Sequence, residues 1–97
     1  MRIVWDDSKN AANRRKHGVS FEEASALFTD GDEYLEIFDE THSEEEDRFV
    51  AIGPIARGLV LVAYAEGDND AVRIMSARRA TKREALLYRF HIGVGGS

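Results

Sequence analysis

Apolar positions recur at helical spacing over residues 21–28, and the chain reads as strand-like from residue 34 to 78. Residues 2–5, Arg-Ile-Val-Trp, predict a short first strand. Asp6 and Asp7 are N-cap candidates for a helix that runs to Lys16 without a β-branched residue. Arg14, Arg15, Lys16 and His17 crowd its last turn, where cations offset the helix dipole, and Gly18 suits the left-handed residue that closes it. Ser20-Phe21-Glu22-Glu23 is a capping box. Phe21, Ala24, Leu27 and Phe28 then recur at helical spacing, which predicts a second helix over residues 21–28, ended by the turn Thr29-Asp30-Gly31-Asp32.

Strands are expected over residues 34–38, over 48–52 (closed by Gly53-Pro54), over 58–64 and over 71–78. The third of these is apolar on both faces and belongs in the middle of a sheet. An acidic connection, residues 39–47, separates the first two, and residues 66–70 form a hairpin turn. Thr81-Lys82-Arg83-Glu84 is a second capping box and opens a helix to about Phe90. The order β-α-α-β-β-β-β-α predicts an α+β domain with a small antiparallel sheet. Two N-terminal helices and one C-terminal helix would cover one face and leave the other open as a site. Residues 1–92 make a single domain, and residues 93–97 are expected to be a disordered tail.

A chain of 97 residues with 43% hydrophobic residues is large enough for one modest core. It has no cysteine, which excludes disulfides and thiolate chemistry. No run approaches the roughly 18–20 apolar residues of a membrane span, and the start turns acidic too early for a signal peptide. A cytoplasmic protein without membrane contact is expected. The net charge of −5 argues against a nucleic-acid partner, but its distribution changes that picture. Residues 30–47 carry ten acids and no Lys or Arg, whereas residues 71–97 carry six Lys or Arg against Glu84 alone.

Three blocks carry a resemblance. Trp5-Asp6, Lys9, Asn13 and Lys16-His17-Gly18-Val19-Ser20-Phe21-Glu22-Glu23-Ala24 form the first. Asp39, His42-Ser43, Glu46, Arg48 and Gly53 form the second, and the run from Arg73 to Thr81 with Glu84 and Tyr88 forms the third. In this order the chain resembles the BrnT toxins over residues 2–90. The resemblance implies a RelE-like fold, a ribonuclease that arrests translation, and a BrnA-type antitoxin that binds both the toxin and the operon DNA. It also suggests a heterotetramer of two toxins and two antitoxins, with operator DNA reached only through the antitoxin.

Metal-free RNA cleavage uses the 2′-hydroxyl as nucleophile and needs a base, an acid and cations around the phosphorane. Arginine suits the last role because its charged fork matches phosphate oxygens. Arg78 and Arg79 leave the last strand in opposite directions; Arg78, on the side of Ile74 and Ser76, is the favoured one, and the alternative is that both are solvated or pair with the acidic segment 39–47. Arg48 is either a phosphate contact or the partner of a carboxylate among Glu44, Glu45, Glu46 and Asp47. Lys16 and His17 are a candidate acid–base pair, or else cations at a helix end. The candidate catalytic set is thus Lys16, His17, Arg48, Arg78 and Arg79, with Arg73, Lys82 and Arg83 binding RNA.

His42, near Asp39 and Glu46, is catalytic or orders its loop. The three histidines lack metal-ligand spacing, and no metal or cofactor is expected. Trp5, Phe21, Phe28 and Tyr64 read as core, Ser76 as a small filler or a hydrogen-bonding group, and Asn13 as fixing a backbone turn or a neighbouring helix. The acidic middle is a solvated edge or a dock for a basic antitoxin segment. A non-catalytic module that binds antitoxin and tunes operon repression is the alternative function.

Overall fold

A computed structural model describes residues 1–95. In chain order it contains strand β1 (Arg2–Val4), helices α1 (Asp7–His17) and α2 (Phe21–Thr29), and strands β2 (Leu35–Phe38), β3 (Arg48–Ile55), β4 (Gly58–Glu66) and β5 (Ala71–Arg79). Helix α3 (Lys82–Gly95) follows. Short 3₁₀ turns at Glu40–His42 and Asp68–Asp70 lie in the β2–β3 and β4–β5 connections. The latter turn holds Asn69 and Asp70 at positive φ.

The strands form one sheet in the order β1-β5-β4-β3-β2. β2 to β5 are an antiparallel meander. β1 pairs in parallel with β5, from Arg2 opposite Ala71 to Val4 opposite Arg73. The sheet is therefore mixed and not wholly antiparallel. The reason is the α1–α2 crossover, which carries the chain from β1 to the far edge and frees β1 from hairpin geometry.

Two helices pack on one face for different reasons. Phe21, Ala24 and Leu27 of α2 enter a core with Val62, Tyr64 and Ile74 of the sheet, and Trp5 meets Phe21 edge to face at 6.2 Å. α1 has no buried apolar residue; its two buried side chains are Asn10 and Asn13. Asn10 accepts from the Phe21 amide at 2.8 Å and donates to Glu22 at 2.7 Å. Asn13 donates to the carbonyls of Val19 and Ala77, both at 2.8 Å, and accepts from the Ala77 amide at 3.1 Å. Since β1 pairs only as far as Arg73, the Asn13 amide continues the ladder along an edge of β5 that would otherwise be unpaired.

Strand β3 runs through Gly53-Pro54, where a turn was expected. Beyond Ile52 it has no β2 partner, so Pro54 occupies an edge stretch that tolerates its missing N–H. Gly53 is required by close packing. A Cβ there would lie 2.5 Å from Leu27 Cδ1 and 2.7 Å from Tyr34 Cβ. Gly53→Ala is expected to lower stability by about 1–3 kcal/mol through overpacking, read as a lower urea midpoint with an unchanged slope.

The second face is not bare. Alternation puts Arg48, Val50 and Ile52 of β3 on it, next to Ala65, Ala63 and Leu61 of β4. Ile52 is 1% exposed yet stands outside the α2-side core. The cover is α3, which packs against β2 and β3 and whose buried Tyr88 donates its hydroxyl to the Glu33 carbonyl at 2.9 Å. The helices therefore lie on both faces, contrary to the one-sided arrangement expected. α3 opens on its capping box, with Glu84 N–H donating to Thr81 at 3.2 Å and Thr81 N–H to Glu84 at 2.9 Å. It continues past Phe90 to Gly95, so residues 93–95 of the expected disordered tail are helical; residues 96 and 97 lie outside the described residues.

Candidate active site

The end of the second face that α3 leaves uncovered carries the site. Arg48 of β3 pairs with Ala65 of β4, and Ala65 pairs with Arg73 of β5. The two arginines thus stand one strand apart on either side of Ala65, with Cα atoms about 10 Å apart by the ordinary strand spacing. Ala65 is 1% exposed. Both guanidinium groups reach one oxygen, Oε1 of Glu46: Arg73 through a short Nη2 contact and Arg48 Nη2 at 3.6 Å. Arg48 Nε is buried and has no hydrogen-bond partner among the described residues.

The β2–β3 connection is fastened to the same place. The Asp39 amide donates to the Arg48 carbonyl at 2.9 Å, the Arg48 amide donates to Ser43 Oγ at 3.0 Å, and Ser43 Oγ donates to the Asp39 carbonyl at 2.6 Å. His42 is thereby set three residues after Asp39, with its Nδ1 at 2.9 Å from Asp39 Oδ2. A carboxylate on Nδ1 fixes the ring and leaves Nε2 as the working nitrogen. Asp39, His42, Arg48, Met75 and Ser76 line a depression of about 290 Å³ with parts of Phe49, Ala63 and Tyr64. A second depression of about 260 Å³, lined by Thr41, His42, Glu44, Glu45, Glu46 and Arg48, shares two of these residues.

A β-bulge decides which β5 side chains belong here. Ala63 pairs with Ser76 but Tyr64 with Ile74, so Met75 is the extra residue. Ile74 turns into the core at 1% exposure, while Ser76 lines the depression. The expectation that Ile74 and Ser76 share a side is corrected by this insertion. Behind the site, Tyr64 stacks on Phe49 at 5.6 Å and donates its hydroxyl to Glu36. Burial, then the Glu36 carboxylate, pushes the Tyr64 phenol above its ordinary value.

The other sequence candidates are placed apart from this centre. Arg78 pairs with Leu61, two rows along the face from Arg73. It makes a two-pronged bond to Glu84, Nη1 at 2.8 Å and Nη2 at 2.9 Å. Its partner is thus the α3 capping residue and not the acidic segment 39–47. Arg79 follows on the opposite side and is exposed. Lys16 and His17 end α1 and line neither depression; Lys82 and Arg83 open α3 and are exposed. The structure therefore brings Arg48 and Arg73 of the expected set together with His42 and Asp39, whose catalytic or loop-ordering role was weighed from the sequence, and adds Ser43. The Asp39-His42-Ser43 spacing and the strand start at Arg48 were the available signals. Ion pairing to Glu46 is realised for both Arg48 and Arg73.

The Arg78 guanidinium, with the Thr81 amide, holds the Glu84 carboxyl down at about 2, against an ordinary 4.5. A depressed folded-state pKa supplies stability above the ordinary value that is lost as pH falls toward the folded one. Glu84→Gln is expected to flatten the stability profile between pH about 4.5 and 2, measured as urea midpoints across that range.

A cationic pair on a half-covered sheet face, beside a carboxylate-oriented histidine, marks the candidate site of this small α+β protein. Residues 5–84 match the family described as ribonuclease toxin, BrnT, of type II toxin–antitoxin systems, and the chain belongs to that family. The fold is similar to the 1.1 Å crystal structure of the Brucella abortus ribonuclease toxin BrnT, with a TM-score of 0.62 and 24% identity. That match covers 84% of this chain and 99% of the other. No curated protein sequence matches.

Proposed function

We propose that this family member is a metal-independent endoribonuclease with a RelE-like fold that arrests translation, and that a BrnA-type antitoxin neutralises it. The convergence of Arg48 and Arg73 on one Glu46 oxygen carries the reading. A carboxylate held between two guanidinium forks marks where a phosphate oxygen would sit. The Glu46 pairs are surface-accessible and worth about 0–1 kcal/mol each, so a phosphodiester, which carries the same single charge as the carboxylate and gains a second one in the phosphorane, displaces it.

In this reading Arg48 and Arg73 stabilise the phosphorane as the 2′-hydroxyl attacks. His42, oriented by Asp39, exchanges the proton at Nε2 with the 2′-hydroxyl or the departing 5′-oxygen. Arg78 braces α3 through Glu84, and Lys82, at the exposed start of that helix, contacts the RNA strand. The toxin–antitoxin complex holds two copies of each chain in the cytoplasm and reaches operator DNA through the antitoxin.

Antitoxin-free protein is expected to cleave RNA in EDTA and to leave 2′,3′-cyclic phosphate ends. Cleavage that disappears in EDTA and returns with a divalent cation would overturn the mechanism. Glu44, Glu45 and Glu46 around the site favour a second reading, a non-catalytic antitoxin-binding module. That reading predicts antitoxin binding with no cleavage under any condition.

A further inference from the structure

We propose that the outer face of α3 is a docking surface for an acidic, amphipathic helical segment of the antitoxin. The inference rests on the toxin–antitoxin reading and adds to it a place and a partner chemistry. α3 has two faces. Glu84, Ala85, Tyr88, His91 and Ile92 lie on one arc and are buried or half-buried against the sheet side. Arg83, Leu86, Leu87 and Phe90 lie on the opposite arc, at the i, i+3, i+4 and i+7 spacing of a continuous stripe. Leu86 is 64% exposed, Leu87 48% and Phe90 73%. With Arg83 and Arg89 they form an open apolar groove of about 610 Å³.

This stripe is not needed to hold α3 in place, because Tyr88 and the Arg78–Glu84 pair already anchor it. Three adjacent large apolar side chains in water mark an interaction surface. Charge selects the occupant. Lys82, Arg83 and Arg89 border the stripe, and Glu84, the one acid of α3, is engaged by Arg78. An occupant with apolar residues at helical spacing and Asp or Glu at its margins satisfies both features. A second copy pairing through the same face would set Arg83 and Arg89 against their own kind. RNA would gain little from Leu86 and Leu87, which offer no stacking plane. Arg78 shares the catalytic face with Arg73, so a segment seated on α3 approaches the site without occupying it.

The test uses the intact chain and the antitoxin encoded in its own operon, with affinity measured by calorimetry for the parent and for Leu86→Ser, Phe90→Ser and Arg89→Glu. Circular dichroism confirms that each variant is folded. Each is expected to weaken antitoxin binding by about 30-fold or more, the loss seen at interface hot spots. RNA cleavage by Leu86→Ser and Phe90→Ser is expected to stay at the parent level. Affinities within threefold of the parent in all three variants, or no binding by the parent, would overturn the proposal. So would a Phe90→Ser variant that keeps antitoxin affinity but loses self-association, binding to vesicles with 30% phosphatidylserine, or RNA binding. If the parent cleaves no RNA, the nuclease reading fails by itself, and the binding isotherms still decide the surface.

Discussion

Arg48→Ala is expected to reduce RNA cleavage by about 10²–10³-fold, the usual cost of removing one preorganised group from a developing oxyanion, while the chain stays folded. Arg48 is the residue where the two halves of the site meet. Its backbone amide and carbonyl fasten the loop that carries His42, through Ser43 Oγ at 3.0 Å and the Asp39 amide at 2.9 Å. Those contacts survive truncation of the side chain, so the loop should keep its place. What is lost is the fork beside Glu46, including its buried Nε, which has no hydrogen-bond partner among the described residues. Arg48→Lys separates charge from shape: a point charge without the planar fork is expected to give an intermediate rate. Single-turnover cleavage of a defined RNA measures all three proteins. Parent-level cleavage by Arg48→Ala would move the chemistry away from this end of the sheet. Arg78→Ala then becomes the informative control, since Arg78 sits two rows away and is occupied by Glu84.

The elements of this fold were legible wherever a local rule sufficed. Both capping boxes, at Ser20 with Glu23 and at Thr81 with Glu84, are formed as their spacing predicts, and Gly18 adopts a left-handed φ of 72° to close α1. The site was legible only in part, because its assembly depends on long-range facts. Residue types offered Arg73 as an RNA contact and Arg48 as a phosphate contact or a carboxylate partner, but strand register sets them on either side of Ala65. Alternation on paper grouped Ile74 with Ser76; one inserted residue, Met75, reverses that and sends Ile74 inward. Arg78 looked free because the competing acceptor, Glu84, lies on a helix whose docking position no local pattern encodes. The α1 sequence showed half of its role. Asn13 was expected to fix a backbone turn or a neighbouring helix and does bond to the Val19 carbonyl, but its bonds to Ala77 of β5 depend on the docking of α1 on the sheet.

That attachment makes Asn13 the largest single stability determinant to test. Asn13→Ala is expected to destabilise the fold by at least about 3 kcal/mol. Three backbone groups, the Val19 carbonyl and both polar atoms of Ala77, lose their partner in a buried place, at about 1–3 kcal/mol each. Against a usual total of about 5–15 kcal/mol, that lowers the melting temperature by about 12–24 °C for a chain of this size. The cost lies in hydrogen bonding and not in volume, which a second variant separates. Asn13→Leu restores bulk without a donor or acceptor and should be no better than alanine. Asn13→Asp keeps the acceptor for the Ala77 amide but points a carboxylate at two carbonyl oxygens. Its deficit should shrink on acidification, as the protonated carboxyl regains one donor. A leucine variant as stable as the parent would mean that α1 is held by packing alone, and the polar docking of this helix would have to be abandoned.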